Sequence, residues 1–273
     1  MQAFVDDGAI SRGASIAFYT ITSLGPVVLV VIAVAGLAFG EDAARGAVSA
    51  ELSGLMGKAS ADLVQTAVQS AATRSSGTVA SIIGAFTLLA AVSGVFGEMQ
   101  SALNAIWKAP PRGTTISRLL RARLASLGLV AALGFLMLVS LVISALLSAL
   151  SNVINVVLPF SAEMLEALNF VISFVLISVM FAAIYKVLPD VHLSWHDVLV
   201  GAVMTALLFT VGKFLIGLYL GRSMIASSYG AAGALIVALL WIYYSAQIFL
   251  LGAEFIKIYA SRRGTPAAIR ALD

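Results

Sequence analysis

Six long apolar runs, each of the length needed to cross a bilayer, constrain this chain more than any other feature. They cover about residues 16–39, 78–100, 124–150, 168–188, 198–220 and 231–258. A helix needs about 20 apolar residues to cross the hydrocarbon core. There the backbone must satisfy its own hydrogen bonds. The apolarity within each run is continuous, not alternating as in a barrel strand, so each run predicts a transmembrane helix. Hydrophobic residues make up 61% of the chain and charged residues 11%, whereas a soluble domain carries about a quarter charged. Little chain remains between the runs. The expectation is an all-α polytopic membrane protein, a six-transmembrane-helix bundle forming a single membrane domain over 1–273.

The one long connection is Glu41–Ser76. Val48, Leu52, Leu55, Ala59, Leu63, Val64, Ala67 and Val68 recur there at steps of three and four or beside them. That pattern predicts short amphipathic helices in the first extracytoplasmic connection, lying on the membrane surface or capping the bundle. Ala33-Val34-Ala35 resembles a cleavage site. The acidic Asp6 and Asp7 before the run, its length and Pro26 within it argue against a cleaved signal peptide.

Orientation follows from the basic residues. With the amino terminus in the cytoplasm, eleven lysines and arginines fall in inside segments and four in outside segments. The strongest contribution is Lys108–Arg123, with five basic residues and no acidic one. The expected location is the bacterial inner membrane, with both termini cytoplasmic. Trp107, Trp195 and Tyr259 are expected to anchor at the interface. The basic loop reads as topology and anionic-lipid contact, not as a nucleic-acid surface.

Charges placed inside a membrane cost at least about 2.5–3.5 kcal/mol and usually face protein or water. Three stripes carry such polar residues. On the second run, Gly84, Thr87, Ala91, Gly94, Glu98 and Ser101 share one helical face, which Asn104 continues. Small residues on that face allow close approach of a neighbouring helix. On the sixth run, Tyr243, Gln247 and Glu254 share a face with Gly233 and Leu240, and Gly230 with Gly233 suggests a tight turn or re-entrant start. On the first run, Arg12, Ser15, Tyr19, Ser23 and Pro26 lie together, and Pro26 is expected to kink the helix. The topology brings Tyr19, Glu98 and Glu254 to the cytoplasmic half. Two readings follow: a polar cavity open to the cytosol, or ion pairs with Arg12 and the basic loop that hold the helices.

Lys213 lies past the middle of an outward-running helix. It would bind an anionic group, pair with a carboxylate, or snorkel to the interface. Gly36 and Gly40 form a small-xxx-small pair that favours helix packing and leaves a homo-oligomer open. His192 and His196 have helical spacing, but Leu193 stands where a metalloprotease needs Glu. No metal site is expected there, and the segment reads as a solvated connection. The chain has no cysteine, so disulfides and thiolate chemistry are excluded. No phosphate loop, nucleophile elbow or dinucleotide fingerprint is present. No cofactor is expected, and no enzyme activity.

Several of these segments together resemble the YihY/BrkB family of bacterial inner-membrane proteins. They are Ala17-Phe-Tyr-Thr-Ile-Thr-Ser-Leu-Gly-Pro26, Gly94-Val-Phe-Gly-Glu98 leading to Leu103-Asn104 and Trp107, and Pro189. The most specific are Tyr229-Gly-Ala-Ala-Gly233, Trp241-Ile-Tyr-Tyr-Ser245 and Leu251-Gly-Ala-Glu254. The resemblance covers almost the whole chain. It implies characteristic polar positions at Tyr19, Glu98, Asn104, Gln247 and Glu254. The family has carried the label ribonuclease BN, which these residues do not support, and has been linked to serum resistance, lipid or lipopolysaccharide traffic and solute export.

The expected function is a transporter or exporter of a lipid, amphipathic or small polar solute. Tyr19, Ser23, Glu98, Asn104, Lys213, Gln247 and Glu254 would line its path, with Pro26, Gly94, Gly230 and Gly233 as hinge or packing positions. Membrane lipids would be its surroundings. The alternative is a non-transporting scaffold or regulator of envelope assembly, built as a dry bundle.

Overall fold

A computed structural model describes residues 2–56, 58–73, 94–109, 161–222 and 225–265. Among these residues every regular element is an α-helix. Helix α1 covers Gln2–Asp6, α2 Ala9–Phe39, α3 Glu41–Met56 and α4 Lys58–Thr73. A helical segment at 94–106 is α5. Helices α6, α7 and α8 cover Ser161–Val187, Trp195–Arg222 and Ile225–Arg262.

Three stretches of α6, α7 and α8 are long and apolar enough to cross a membrane: Ala167–Val187, Trp195–Ile216 and Ala232–Arg262. They coincide with the last three sequence runs. The first run lies within α2. Residues 78–93 of the second run, with Gly84, Thr87 and Ala91, and all of the third lie outside the described residues. Helix α2 continues through Pro26, a residue that lacks a backbone N–H to donate, so the proline expected to kink the helix does not end it. Helix α8 likewise continues through Gly230 and Gly233. The expected turn at these glycines is a continuous helix.

Helix α2 packs antiparallel on α8, its start beside Gln247 and Lys257 and its later part beside Ala238, and α6, α7 and α8 pack in sequence. Close approach is achieved where side chains are missing. A Cβ on Gly201 of α7 would strike Ile256 of α8, one on Gly212 would lie 2.6 Å from the ring of Tyr244, and one on Gly252 would meet Thr205 and Tyr185. The Tyr185 hydroxyl, wholly enclosed there, donates to the Phe249 carbonyl at 2.7 Å. It also lies 3.2 Å from Thr205 Oγ1. Together these contacts pin three helices at one level.

The long connection folds as the two helices α3 and α4, packed on α2, and α4 also reaches α8. Of the apolar face read from the sequence, Val48 and Val64 are buried and Leu52 and Leu63 half-buried, and Ala44 and Ala61, outside that pattern, are buried as well. Ser60 Oγ donates to the Ala234 carbonyl of α8 at 3.0 Å. Gly36 and Gly40 serve the corner between α2 and α3: Gly40 has φ 86°, and a Cβ on Gly36 would lie 3.4 Å from Glu41 Cα. Their small size is therefore used within the chain. A left-handed φ of this kind suits glycine and strains other residues.

Candidate functional site

At the end of the bundle opposite α3 and α4, the chain begins with α1 and reverses at Asp7-Gly8. Gly8 has φ 66°, a backbone state that disfavours a Cβ. Its N–H donates to the Val5 carbonyl at 3.0 Å, and Arg12 Nε donates to the Asp7 carbonyl at 3.1 Å. The turn directs the Asp7 carboxylate against α8. Lys257 Nζ donates to Asp7 Oδ2 at 2.9 Å and lies 3.6 Å from Glu254 Oε2. The Lys257 and Glu254 side chains are each only 5% exposed, which makes this a buried charge cluster.

Glu254 and Asp7 have their carboxyl groups within hydrogen-bonding reach of each other. Burial pushes the Asp7 carboxyl up. The hydrogen bonds with Glu254 and Lys257, and the charges of Lys257 and Lys108, outweigh burial and hold Asp7 below the ordinary carboxylate value. Both Glu254 oxygens are buried without a hydrogen-bond donor among the described residues, and so is Gln247 Oε1. Gln247 Nε2 reaches the Ile10 carbonyl at 3.3 Å and lies against Gly13, where a Cβ would clash with it. Gln247 and Glu254 stand seven residues apart, about 10 Å along the helix at 1.5 Å per residue. Both face the start of α2.

The other expected site residues divide between this region and elsewhere. Tyr19 is 42% exposed, with its ring over Gly94, where a Cβ would lie 3.0 Å away. Gly94 thus brings α5 close to α2. Ser23 is buried and donates to Thr20 O at 3.1 Å within its own helix. Glu98 is half-buried and is not among the groups acting on Asp7 or Glu254. The second carboxylate beside Glu254 is Asp7. Asn104 is engaged elsewhere: its Nδ2 donates to Asp190 Oδ2 and its Oδ1 accepts from the Asp190 N–H, both at 2.8 Å. It clamps the end of α5 to the connection between α6 and α7. Lys213 is exposed beside Phe214 and Leu215, on the outer face of α7. Gly233 is buried, and Leu240 is exposed at 42%, so the face shared with Gln247 does not stay enclosed along all of α8.

Sequence reasoning missed Asp7 and Lys257 as partners. Lys257 was visible as a basic residue three positions after Glu254, on the same helical face. Asp7 was visible only as an acidic residue before the first run. Trp107, expected at the interface, is 3% exposed and belongs to the core with Leu103, Ile106 and Ile256. Trp195 is 60% exposed, with Lys186 Nζ 5.1 Å above its ring.

The histidine segment is structured. Ser194 Oγ accepts from the Asp197 N–H at 3.3 Å, which caps α7. Asp197 is buried and accepts from Thr265 Oγ1 at 2.9 Å. Exposed His196 contacts Arg263 and stacks on Tyr259. No group of three metal-ligating side chains occurs among the described residues.

The family described as Virulence factor BrkB matches residues 1–271. A UPF0761 membrane protein of Pseudoalteromonas translucida is 27% identical over 252 residues, covering 92% of this chain and 81% of the relative. A UPF0761 membrane protein of Kangiella koreensis is 30% identical over 156 residues, which cover 57% of this chain and 36% of the relative. One of Mannheimia succiniciproducens is 25% identical over 184 residues, covering 67% and 61%. For the Kangiella relative the chain thus spans about a third of its length. No solved structure matches. With the family matched from end to end and relatives named as membrane proteins, the chain belongs to the BrkB family of membrane proteins.

Proposed function

We propose that the chain is a six-span inner-membrane transporter or exporter with both termini in the cytoplasm. It carries a lipid, an amphipathic compound or a small polar solute, without nucleotide hydrolysis or other enzyme chemistry of its own. The observation that supports this reading is the set of unmatched acceptors at Glu254 Oε1, Glu254 Oε2 and Gln247 Oε1. A buried acceptor without a donor costs about 1–3 kcal/mol. A bundle built only for architecture gains nothing from three of them on one helical face. A passing solute with hydrogen-bond donors would meet them in turn, with Tyr19 and Gly94 at the side of the path. Surrounding lipids are the expected partners, and self-association is compatible with this reading.

A second reading, a non-transporting scaffold, draws on the tight seams at Gly201, Gly212 and Gly252. Cysteine labelling separates the two, since the chain has none of its own. Single cysteines would replace Gln247 and Gly94, with exposed Asp6 and Lys58 as controls for the two faces. An impermeant thiol reagent that reaches Gln247→Cys and Gly94→Cys from the Asp6 side supports a hydrated path. Protection of both from either side, with the controls labelled, supports the scaffold.

A further inference from the structure

The contact between Asp7 and Glu254 carries a more specific inference, which rests on the transport reading only for its use. Two carboxylates in contact cannot both keep their charge at low cost, because like charges at such range repel strongly in a poorly solvated site. One cation stands between them, Lys257, bonded to Asp7 at 2.9 Å and offset from Glu254 at 3.6 Å. Lys257 therefore balances Asp7. Lys108 acts on Asp7 from beyond α5, and Arg12 is occupied by the Asp7 carbonyl. An ionised Glu254 would then be a second buried negative charge, with no donor on either oxygen.

We propose that Glu254 and Asp7 form a proton-binding site that holds one proton, carried on Glu254 and donated to the Asp7 carboxylate. The O–H bond forms at Glu254 with a proton taken from the cytosolic side, and no electron changes hands. The proton turns the unmatched Glu254 oxygen into a donor and leaves Asp7 and Lys257 as a neutral pair. When the proton leaves, Glu254 becomes an anion and attracts Lys257, three residues away on its own helix. The ammonium is then divided between two carboxylates, and the hold of α8 on the Asp7-Gly8 turn weakens. In a transporter this links proton release to movement of α1 and the start of α2.

A bound monovalent metal ion fits the geometry poorly. It would need several oxygen ligands, and Lys257 already occupies the position between the carboxylates. The site is also separate from any role of Glu98.

The test is infrared difference spectroscopy on the full chain in lipid nanodiscs, following the protonated carboxylic C=O stretch through a pH titration. The wild type is expected to show this band at neutral pH, and to lose it as the pH is raised. Glu254→Gln is expected to abolish the band, and Asp7→Asn to change its frequency or remove it. Glu98→Gln is expected to keep it. Circular dichroism of each variant checks that its helices are intact, and proton release measured with a pH-indicator dye gives a second readout. Absence of the band in the wild type at neutral pH overturns the proposal, as does a band that survives Glu254→Gln in a folded protein. A proton site found together with complete cysteine protection rejects transport and keeps the proton site. Hydration of Gln247 without the band rejects the proton site and keeps transport.

Discussion

Lys257 Nζ donates to Asp7 Oδ2 at 2.9 Å across 250 residues of sequence. This bond ties the first turn of the chain to its last described helix, next to a glutamate that has no donor of its own. A membrane helix carrying Glu254 and Lys257 on one face is costly by itself, and the amino-terminal turn supplies the balancing carboxylate.

Removal of the lysine is therefore expected to be severe. Breaking a buried charge pair by deleting one partner costs about 3–5 kcal/mol, because the other charge stays buried. Lys257→Met should lower the detergent-solubilised melting temperature clearly. Asp7→Asn combined with Lys257→Met should recover part of the loss. A single variant as stable as the wild type contradicts the pairing.

Acid sensitivity provides a second prediction. Asp7 is held below its ordinary value of 3.8. In the acid range the unfolded chain then binds more protons than the folded one, so stability rises with pH there. The contribution is fully present above the ordinary value and is lost as pH falls through the lowered folded value. Melting curves recorded from about pH 6 down to about pH 3 should show a shallower acid limb for Asp7→Asn than for the wild type. Equal limbs would mean that Asp7 is not held in its charged form by the fold.

The seam around Tyr185 predicts a contrast between two glycines. A Cβ on Gly252 meets Thr205 Cβ at 3.1 Å and lies still closer to the Tyr185 hydroxyl, so Gly252→Ala overpacks a rigid contact. Such changes cost about 1–3 kcal/mol. Gly46 in α3 has open space around its Cβ position. There the alanine substitution should stabilise by about 0.5–1 kcal/mol through helix propensity. Chemical denaturation of the two variants should show opposite signs.

The Asn104 clamp makes a local prediction. Asn104→Leu leaves the Asp190 N–H and carboxylate without their partner, a loss of about 1–3 kcal/mol. Hydrogen exchange should speed up at Asp190 and its neighbours and change little in α3. Uniform protection would show that the α6–α7 connection is held by other contacts.

Much of the helical architecture was legible in the sequence because hydrophobic runs report it locally. The apolar stretches of α6, α7 and α8 coincide with the expected spans to within a few residues. The four-residue step from Val48 to Leu52 among polar neighbours predicts the helix found at α3. Glu254 was legible as a costly group in an apolar run, and Gln247 as its neighbour on the same face. The glycines were harder to read. Gly36 and Gly40 suited a helix pair and instead make a corner, whereas Gly201 carries packing that no motif marked.

By itself, the sequence determined the helices of the described residues and membership of the BrkB family, with polar groups set into apolar helices. Those properties depend on residues near one another along the chain, through burial energy and helical period. Tertiary structure decided the partners: Asp7 for Lys257, Asp190 for Asn104, the Phe249 carbonyl for Tyr185. An unpaired charge can be balanced from any distance along the sequence, and only the folded arrangement of helices brings one particular carboxylate within reach.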